Sequence, residues 1–216
     1  MTEAAPFATA LVVALEAQGL TVEQYYPELG HGQHEVSVRY AEVLRAADNH
    51  IKLRETIRGV ALEYGLYASL APKPFADQAG NGFHVHLSVN DAAGNNLCAA
   101  EDLEGSALLK HAIGGMKALL GEGMAILAPN ANSYRRFKAN SYAPVAPTWG
   151  VNNRTVSLRV PAGPPPTRHV EHRVAGADAN PYLVMAVLLA SAHHGITNRI
   201  DPGPAVICAR VVVEEA

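Results

Sequence analysis

The chain has 216 residues, of which 49% are hydrophobic and 17% charged, a composition typical of a globular protein. The net charge of −3 gives no indication of a nucleic-acid-binding surface, and no apolar stretch is long enough to predict a membrane span. The apolar start lacks the basic residues of a signal peptide. Two distant cysteines, Cys98 and Cys208, form no disulfide framework and suit a reducing compartment. We therefore expect a cytoplasmic protein with no nucleic-acid or membrane partner.

The predicted elements alternate helices with short strands. Apolar periodicity predicts helices over residues 6–18, 42–64, 103–120 and 182–196. It predicts strands over residues 22–28, 33–40, 66–70, 83–89, 155–160 and 169–174. Asn180 and Pro181 are typical of a helix start, while residues 128–148 show little periodicity and predict a long loop. This order predicts an α+β fold, with a curved and mostly antiparallel sheet backed by helices, in one domain spanning residues 1–216.

One predicted strand carries two histidines on a single face. The stretch at residues 80–88 reads GNGFHVHLS, in which polar and apolar residues alternate after a glycine turn. Side chains two residues apart share a face of a strand, so His84, His86 and Ser88 point the same way. These groups indicate the floor of a site. A solvent-facing strand that happens to carry histidines is the alternative.

Ionisable side chains on or beside the strands indicate a metal site. A carboxylate on a strand must face water, a partner or a metal. Three carboxylates and one histidine are typical of a site for a hard divalent cation, Mg²⁺ or Mn²⁺. The alternative is that each glutamate lies on the hydrated side of its strand. The predicted ligands are Glu28, Glu35, His84 and Glu171, and we expect them to converge on one cavity.

Four arginines indicate an anionic ligand near these carboxylates. A guanidinium group pairs with phosphate oxygens in a bidentate way. The sequence has no glycine-rich phosphate loop, so metals and arginines would have to hold the phosphates of any bound nucleotide. The arginines are Arg136, Arg154, Arg159 and Arg173.

Five segments, in this order along the chain, resemble the catalytic domain of the glutamine synthetase superfamily. They read PELGHGQHE at residues 27–35, GNGFHVHLS at 80–88, NSYRRF at 132–137, NNRTVSLRVP at 152–161 and EHRVAGADANPYL at 171–183. The resemblance implies an ATP-dependent ligase of nitrogen metabolism. In such enzymes the side-chain carboxylate of glutamate attacks the γ-phosphate of ATP, and an amine then displaces phosphate from the γ-glutamyl phosphate.

The resemblance also implies a role for each matching position. Glu28, Glu35, His84 and Glu171 match the metal ligands. Gly80, Arg136 and Arg173 match positions that bind glutamate. Nucleotide-binding positions are matched by His86, Ser88, Arg154 and Arg159, and Arg136 and Arg154 also match catalytic arginines. The family forms rings with active sites between subunits, which implies a homo-oligomer.

The chain departs from the family pattern in several ways. Family members begin with a small domain and a strand carrying two further metal-ligand glutamates, which have no counterpart in this sequence, and residues 202–216 do not resemble the family. His169 stands where the family often has an arginine. We therefore expect the 216-residue chain to bind a divalent metal weakly and to make little product.

Tyr142 occupies the position at which ammonia-using members carry a flap glutamate. No acidic residue lies between residues 135 and 150, and a phenol with a pKa near ~10 cannot replace a carboxylate at neutral pH. An organic amine could instead pack against Tyr142 and Trp149. This feature resembles the γ-glutamylpolyamine and related γ-glutamylamide synthetases, so we expect a preference for an organic amine such as a polyamine over ammonia.

Two other functions remain open on the sequence. One is a catalytically incomplete metal-binding fragment of such a ligase. The other is a metal oxygenase of the cupin type, since paired histidines on an antiparallel sheet also occur there. The cupin pattern expects a glutamate a few residues after the histidines, whereas the next one here is Glu101.

Overall fold

The computed structural model describes residues 5–139 and 141–207. In the first part, which we call the hairpin unit, two helices pack on a two-stranded antiparallel sheet, a β-hairpin. Buried leucines, among them Leu11, Leu15 and Leu53, form its core. The elements are α1 (Ala5–Ala17), β1 (Val22–Pro27), β2 (His34–Val38) and α2 (Val43–Glu63).

The second part is built on a four-stranded sheet with its own core. Three neighbouring strands pair antiparallel and the last pair is parallel, in the order β3-β6-β5-β4. Its apolar face packs against the helices through Trp149, Leu158 and Val170, each of which is almost fully buried. The strands are β3 (Val85–Leu87), β4 (Trp149–Val151), β5 (Leu158–Val160) and β6 (Val170–His172).

Four helices accompany this sheet. Asn180 begins the last of them, because its side chain accepts hydrogen bonds from the backbone N–H groups of Tyr182 and Leu183, and proline occupies the first turn. The helices are α3 (Ala107–Ala118), α4 (Leu120–Leu127), α5 (Ala131–Tyr134) and α6 (Pro181–Asn198). None of the described helices combines the length and hydrophobicity that crossing a membrane requires.

A few polar contacts join the two parts. The Gln33 amide, at the turn between β1 and β2, donates to the Gly80 carbonyl and to the Asn81 side chain at 3.0 and 2.7 Å. Arg54 of α2 donates to the carbonyls of Ala177 and Ala179 just before α6, each at 2.7 Å. These bonds fix the hairpin beside the histidine strand.

The structure confirms the α+β class and the mostly antiparallel pairing, but divides the strands between two sheets. The strand predicted over residues 66–70 is wrong: this segment has no strand partner, and the Tyr67 side chain is 92% exposed. The predicted long loop contains α5, and the sequence analysis also missed α4 and β4. Cys98 is a buried free thiol, and Cys208 lies outside the described residues.

Candidate active site

Glu171 is the centre of the polar face of the larger sheet. Its backbone pairs with His86 of β3 on one side and with Arg159 of β5 on the other. The residue is 3% exposed. Its two carboxylate oxygens accept hydrogen bonds from Arg159 Nη1 at 2.7 Å and from Arg173 Nη1 at 2.6 Å. His84 Nδ1 lies 3.2 Å from Oε1. The predicted side chains of β3, β5 and β6 therefore meet at one carboxylate.

This environment keeps the Glu171 carboxylate charged. Burial alone raises the pKa of a carboxyl group because it penalises the charged form. Here the hydrogen bond from His84 and the positive charges of Arg173 and Arg159 outweigh burial, and together they hold the pKa of Glu171 well below its usual range. The site thus contains a negative charge held between two arginines and His84.

Two histidines, His86 and His169, are in contact at the far end of the same face. His86 Nδ1 is 2.8 Å from His169 Nε2, and His169 Nδ1 is 2.6 Å from the Thr167 carbonyl. Lost hydration lowers the pKa of His86 to about 4, although the Glu171 carboxylate acts in the opposite direction. His86 is therefore neutral at pH 7. Ser88 follows on the same side of the chain and is exposed.

Arg136 is buried and serves the backbone after β6. Its guanidinium donates to the carbonyls of Arg173, Val174 and Ala175 at 2.9–3.1 Å. Burial and the nearby charge of Arg173 lower its pKa to about 10, which leaves it cationic. Its side chain also runs against Gly80, where an added Cβ would lie 2.4 Å from Arg136 Cγ. Arg136 therefore supports both the glycine turn and the segment that carries Arg173.

Tyr142 lies at the edge of the site, whereas Arg154 lies near Tyr26 of the hairpin unit. Tyr142 is 60% exposed and adopts a left-handed backbone conformation with φ of 55°. Its carbonyl accepts a hydrogen bond from Arg173 Nη2 at 3.4 Å, which links the predicted flap to the Glu171 cluster. Arg154 is exposed, and its positive charge acts to lower the pKa of Tyr26 in β1, against the larger effect of burial.

The remaining two predicted metal ligands lie on the hairpin. Glu35 pairs with Tyr26 across the strands and hydrogen-bonds its phenol, and Glu28 accepts from its neighbour's N–H group at 3.2 Å. Among residues 5–139 and 141–207, no three His, Cys, Asp or Glu side chains are grouped so that they could hold a metal ion. His84 and Glu171 meet, and the hairpin glutamates do not join them. The described residues thus supply a pair of ligands and not the octahedral set that Mg²⁺ requires.

The sequence analysis missed the contacts that hold the site together. Gln33 and Asn81 connect the hairpin to the glycine turn, and His169 contacts His86. His169 could have been found, because it lies two residues before Glu171 and so shares its strand face. The predicted role of Trp149 is wrong: its ring is 2% exposed, and its Nε1 donates to the Gly203 carbonyl, so it belongs to the core.

Comparisons with known proteins agree with the fold and with the order of the site segments. The family described as "Glutamine synthetase, catalytic domain" matches residues 1–214. This range includes most of residues 202–216, which the sequence analysis set apart from the family. The γ-glutamylputrescine synthetase PuuA of Escherichia coli (strain K12) is 43% identical over 80% of this chain and 37% of its own length. Glutamate–isopropylamine ligase of a Pseudomonas species is 39% identical over 85% of this chain and 40% of its own.

Solved structures give the same result. The structure titled "Apo GmaS without ligand" superposes with a TM-score of 0.85 at 33% identity, covering 94% of this chain and 47% of that one. Glutamine synthetases also match, for example that of Pyrococcus abyssi at 38% identity over 85% of this chain. The chain spans about two fifths of the length of these curated relatives. It belongs to the glutamine synthetase catalytic-domain family.

Proposed function

We propose that this chain carries catalytic-domain residues of an ATP-dependent ligase that joins the γ-carboxylate of glutamate to an amine through a γ-glutamyl phosphate. The observation that carries the proposal is the Glu171 cluster, in which His84, Arg159 and Arg173 surround one ionised carboxylate. The family membership supplies the reaction class, and three of the relatives are named for γ-glutamyl amide formation with putrescine, isopropylamine or ethanolamine. The family match leaves the cupin alternative without support.

We propose that glutamate lies beside the glycine turn, against Gly80 and Arg173. Arg136 Cγ and the Pro72 carbonyl oxygen fill the space that a side chain at Gly80 would need, so Gly80 can meet a ligand only through its backbone. The Arg173 guanidinium is held by Glu171 with a second hydrogen bond to Tyr142. Arg136 is assigned to the same subsite. Because its N–H groups already bond three carbonyls, its contribution is to position the backbone that carries Arg173.

The phosphates of ATP are assigned to the other end of the face. Arg159 is oriented by Glu171 and by the Asn152 side chain, at 2.7 and 3.2 Å, and Arg154 is exposed nearby in sequence. Positive groups held in place before the reaction stabilise the charge that develops on a transferring phosphoryl group. His86 and Ser88 are assigned to the nucleotide, with His86 neutral and able to accept or donate a hydrogen bond.

Mg²⁺ or Mn²⁺ is part of the proposal, with His84 and Glu171 as one ligand pair and Glu28 and Glu35 as further ligands. A bound divalent cation would neutralise phosphate charge. Since no complete ligand set exists among the described residues, the alternative of an incomplete metal-binding fragment keeps specific support for the isolated chain. We also propose a cytoplasmic ring-forming homo-oligomer for the full-length gene product.

The amine is proposed to be organic. The Tyr142 side chain is 60% exposed at the edge of the site, and it presents an uncharged aromatic surface where an ammonium ion would need a carboxylate. A carbon chain buries apolar surface against such a ring, whereas ammonium has no apolar surface to bury there. Polyamines and alkylamines therefore fit this edge better than ammonia.

Phosphate release by the full-length gene product tests this function. The assay contains glutamate, ATP and Mg²⁺, with ammonium or one of a panel of amines that includes putrescine, ethanolamine and isopropylamine. We expect glutamate-dependent phosphate release that requires an amine, with a higher kcat/KM for at least one organic amine than for ammonium. Release that does not depend on glutamate contradicts the ligase, and a kcat/KM for ammonium above that of every amine contradicts the preference.

A further inference from the structure

A groove on the hairpin unit, separate from the Glu171 cluster, collects positive charge. It has a volume of about 400 Å³ and lies between the end of α1, the beginning of β1, the end of β2 and the first turns of α2. Pockets for small molecules begin at about 300 Å³. No residue of the proposed ligase site lines this groove.

Three cationic side chains from two elements face this groove. Arg39 follows β2, and Arg45 and Lys52 lie seven residues apart on α2, which places them on one side of the helix. Within the described parts of the chain, none of the three makes an ion pair or a side-chain hydrogen bond, and no carboxylate lines the groove. The three positive charges are therefore unpaired within the groove, in a chain whose net charge is −3.

The groove walls add neutral hydrogen-bonding groups. Asn49 lies between Arg45 and Lys52 on the same side of α2, and Thr21 contributes a hydroxyl from the segment before β1. A concave surface with one sign of charge focuses the electric field and attracts ions of opposite sign. Two planar guanidinium groups and one ammonium are the donors that bind phosphate oxygens, the former in a bidentate way.

We propose that this groove binds a small anion carrying more than one phosphate group, at a site distinct from the ligase centre. Three cations match a ligand of two or three negative charges. All three line one groove of about 400 Å³, a size that suits a small molecule better than a nucleic acid. Binding would relieve the repulsion between the three like charges.

Calorimetric titration with inorganic pyrophosphate tests this site, using the purified full chain at low and at physiological salt. We expect saturable binding that weakens with salt. Arg45→Gln should raise the Kd about tenfold, because a charge-assisted hydrogen bond is lost. Arg39→Gln should act in the same direction and serves if Arg45→Gln does not fold, with folding checked by circular dichroism.

Arg58→Gln is the matched control, because it removes the same charge from an exposed position further along α2, where Arg58 pairs with Glu55. It should leave the Kd of the groove unchanged. Arg154→Gln changes the site assigned to the ATP phosphates, so it should weaken only pyrophosphate binding at that site and leave the groove unaffected. The proposal is overturned if pyrophosphate does not bind, if Arg58→Gln weakens binding as much as Arg45→Gln, or if only Arg154→Gln matters. A loss of oligonucleotide binding without a loss of pyrophosphate binding in Arg45→Gln would also overturn it, in favour of a nucleic-acid surface.

Discussion

Glu171 is ionised although burial penalises the charged carboxylate, because the neighbouring side chains offset the lost hydration. The residue is 3% exposed, yet three cationic or donor groups reach its two oxygens. Removing one partner of a buried ion pair leaves the others uncompensated and destabilises a protein by several kcal/mol. The same carboxylate therefore serves the fold and the proposed chemistry, which makes it a sensitive position for mutation.

We expect Glu171→Gln to lower the free energy of unfolding by about 3 kcal/mol at pH 7, because Arg159 and Arg173 lose their counter-charge. The folded pKa of Glu171 is depressed, so its contribution is complete above the unfolded pKa near ~4.3 and is lost as the pH falls toward the folded pKa. The difference between wild type and Glu171→Gln should therefore shrink below about pH 5.

Urea unfolding between pH 3 and pH 7 measures this difference. The matched control is Glu101→Gln, at an exposed loop position, which should change the free energy of unfolding little at any pH. A difference for Glu171→Gln that stays constant as the pH falls would show that the ion pairs do not stabilise the folded state as described.

Tyr142 is the residue at which we expect amine preference to change. In the full-length gene product, Tyr142→Glu should raise the kcat/KM for ammonium relative to putrescine by about tenfold, because the new carboxylate can pair with ammonium. Both residues must adopt the left-handed conformation of this position, so backbone strain is equal in the two proteins.

Tyr142→Phe is the control for that experiment, since it keeps the ring and adds no charge. Its preference should stay with the organic amine. If Tyr142→Glu and Tyr142→Phe shift the ratio equally, the charge at this position does not select the amine, and Tyr142 is only part of the loop.

At the scale of elements, the contact between α3 and α6 depends on two glycines. A Cβ at Gly115 would lie 2.1 Å from the Ser191 carbonyl oxygen, and one at Gly195 would lie 2.1 Å from the His111 carbonyl oxygen. Real Cβ atoms do not approach other atoms so closely. The backbones of the two helices can therefore be this near only because both positions lack a side chain. This crossing packs the helices that cover the larger sheet.

We expect Gly115→Ala to lower the free energy of unfolding by about 3 kcal/mol, since α3 and α6 must separate to admit the methyl group. Gly59→Ala in α2 is the matched control: nothing lies within 4 Å of its added Cβ, and alanine should stabilise that helix by about 0.5–1 kcal/mol. Denaturant unfolding of both variants gives the comparison, and equal effects would contradict the close crossing.

The elements that the sequence predicted well are those with a strong local signal. Asn180 and Pro181 determine the start of α6 through side-chain capping and a fixed φ, which require no distant contact. The strand β4 could not be predicted, because it has three residues and is defined by parallel pairing with β5. Residues 66–70 have a strand-like composition but lack a partner strand, so pattern alone gave the wrong answer there.

At the site, local sequence predicted which side chains share a strand face more reliably than which groups they contact. The alternation around His84 and His86 predicted their shared face. The use of Arg136 by three backbone carbonyls could not be predicted, because it depends on the path of the chain after β6. The sequence pattern also gave no indication that the hairpin unit forms a sheet separate from the larger one.

For the whole molecule, the proposed metal ligands are divided between two cores. His84 and Glu171 belong to the larger sheet, while Glu28 and Glu35 belong to the hairpin unit. The Gln33 bonds to Gly80 and Asn81 connect the two parts beside the glycine turn. Completion of a metal site therefore depends on how the two parts are arranged and on ligands beyond the pair that is already in contact.

Weak divalent-metal binding is the expected consequence for the 216-residue chain. A cation entering beside Glu171 must displace two guanidinium groups from the carboxylate oxygens. Among the described residues, His84 is the one further ligand in contact with Glu171. Few anionic ligands hold a hard cation weakly, so we expect a Kd for Mn²⁺ of about 10⁻⁴–10⁻³ M or weaker. Calorimetric or paramagnetic titration measures it. His84→Ala should weaken binding further, whereas His193→Ala, at an exposed position of α6, should not. A micromolar Kd that His84→Ala leaves unchanged would show that the metal binds elsewhere, and a micromolar Kd that His84→Ala abolishes would show that the hairpin glutamates close onto the pair in solution.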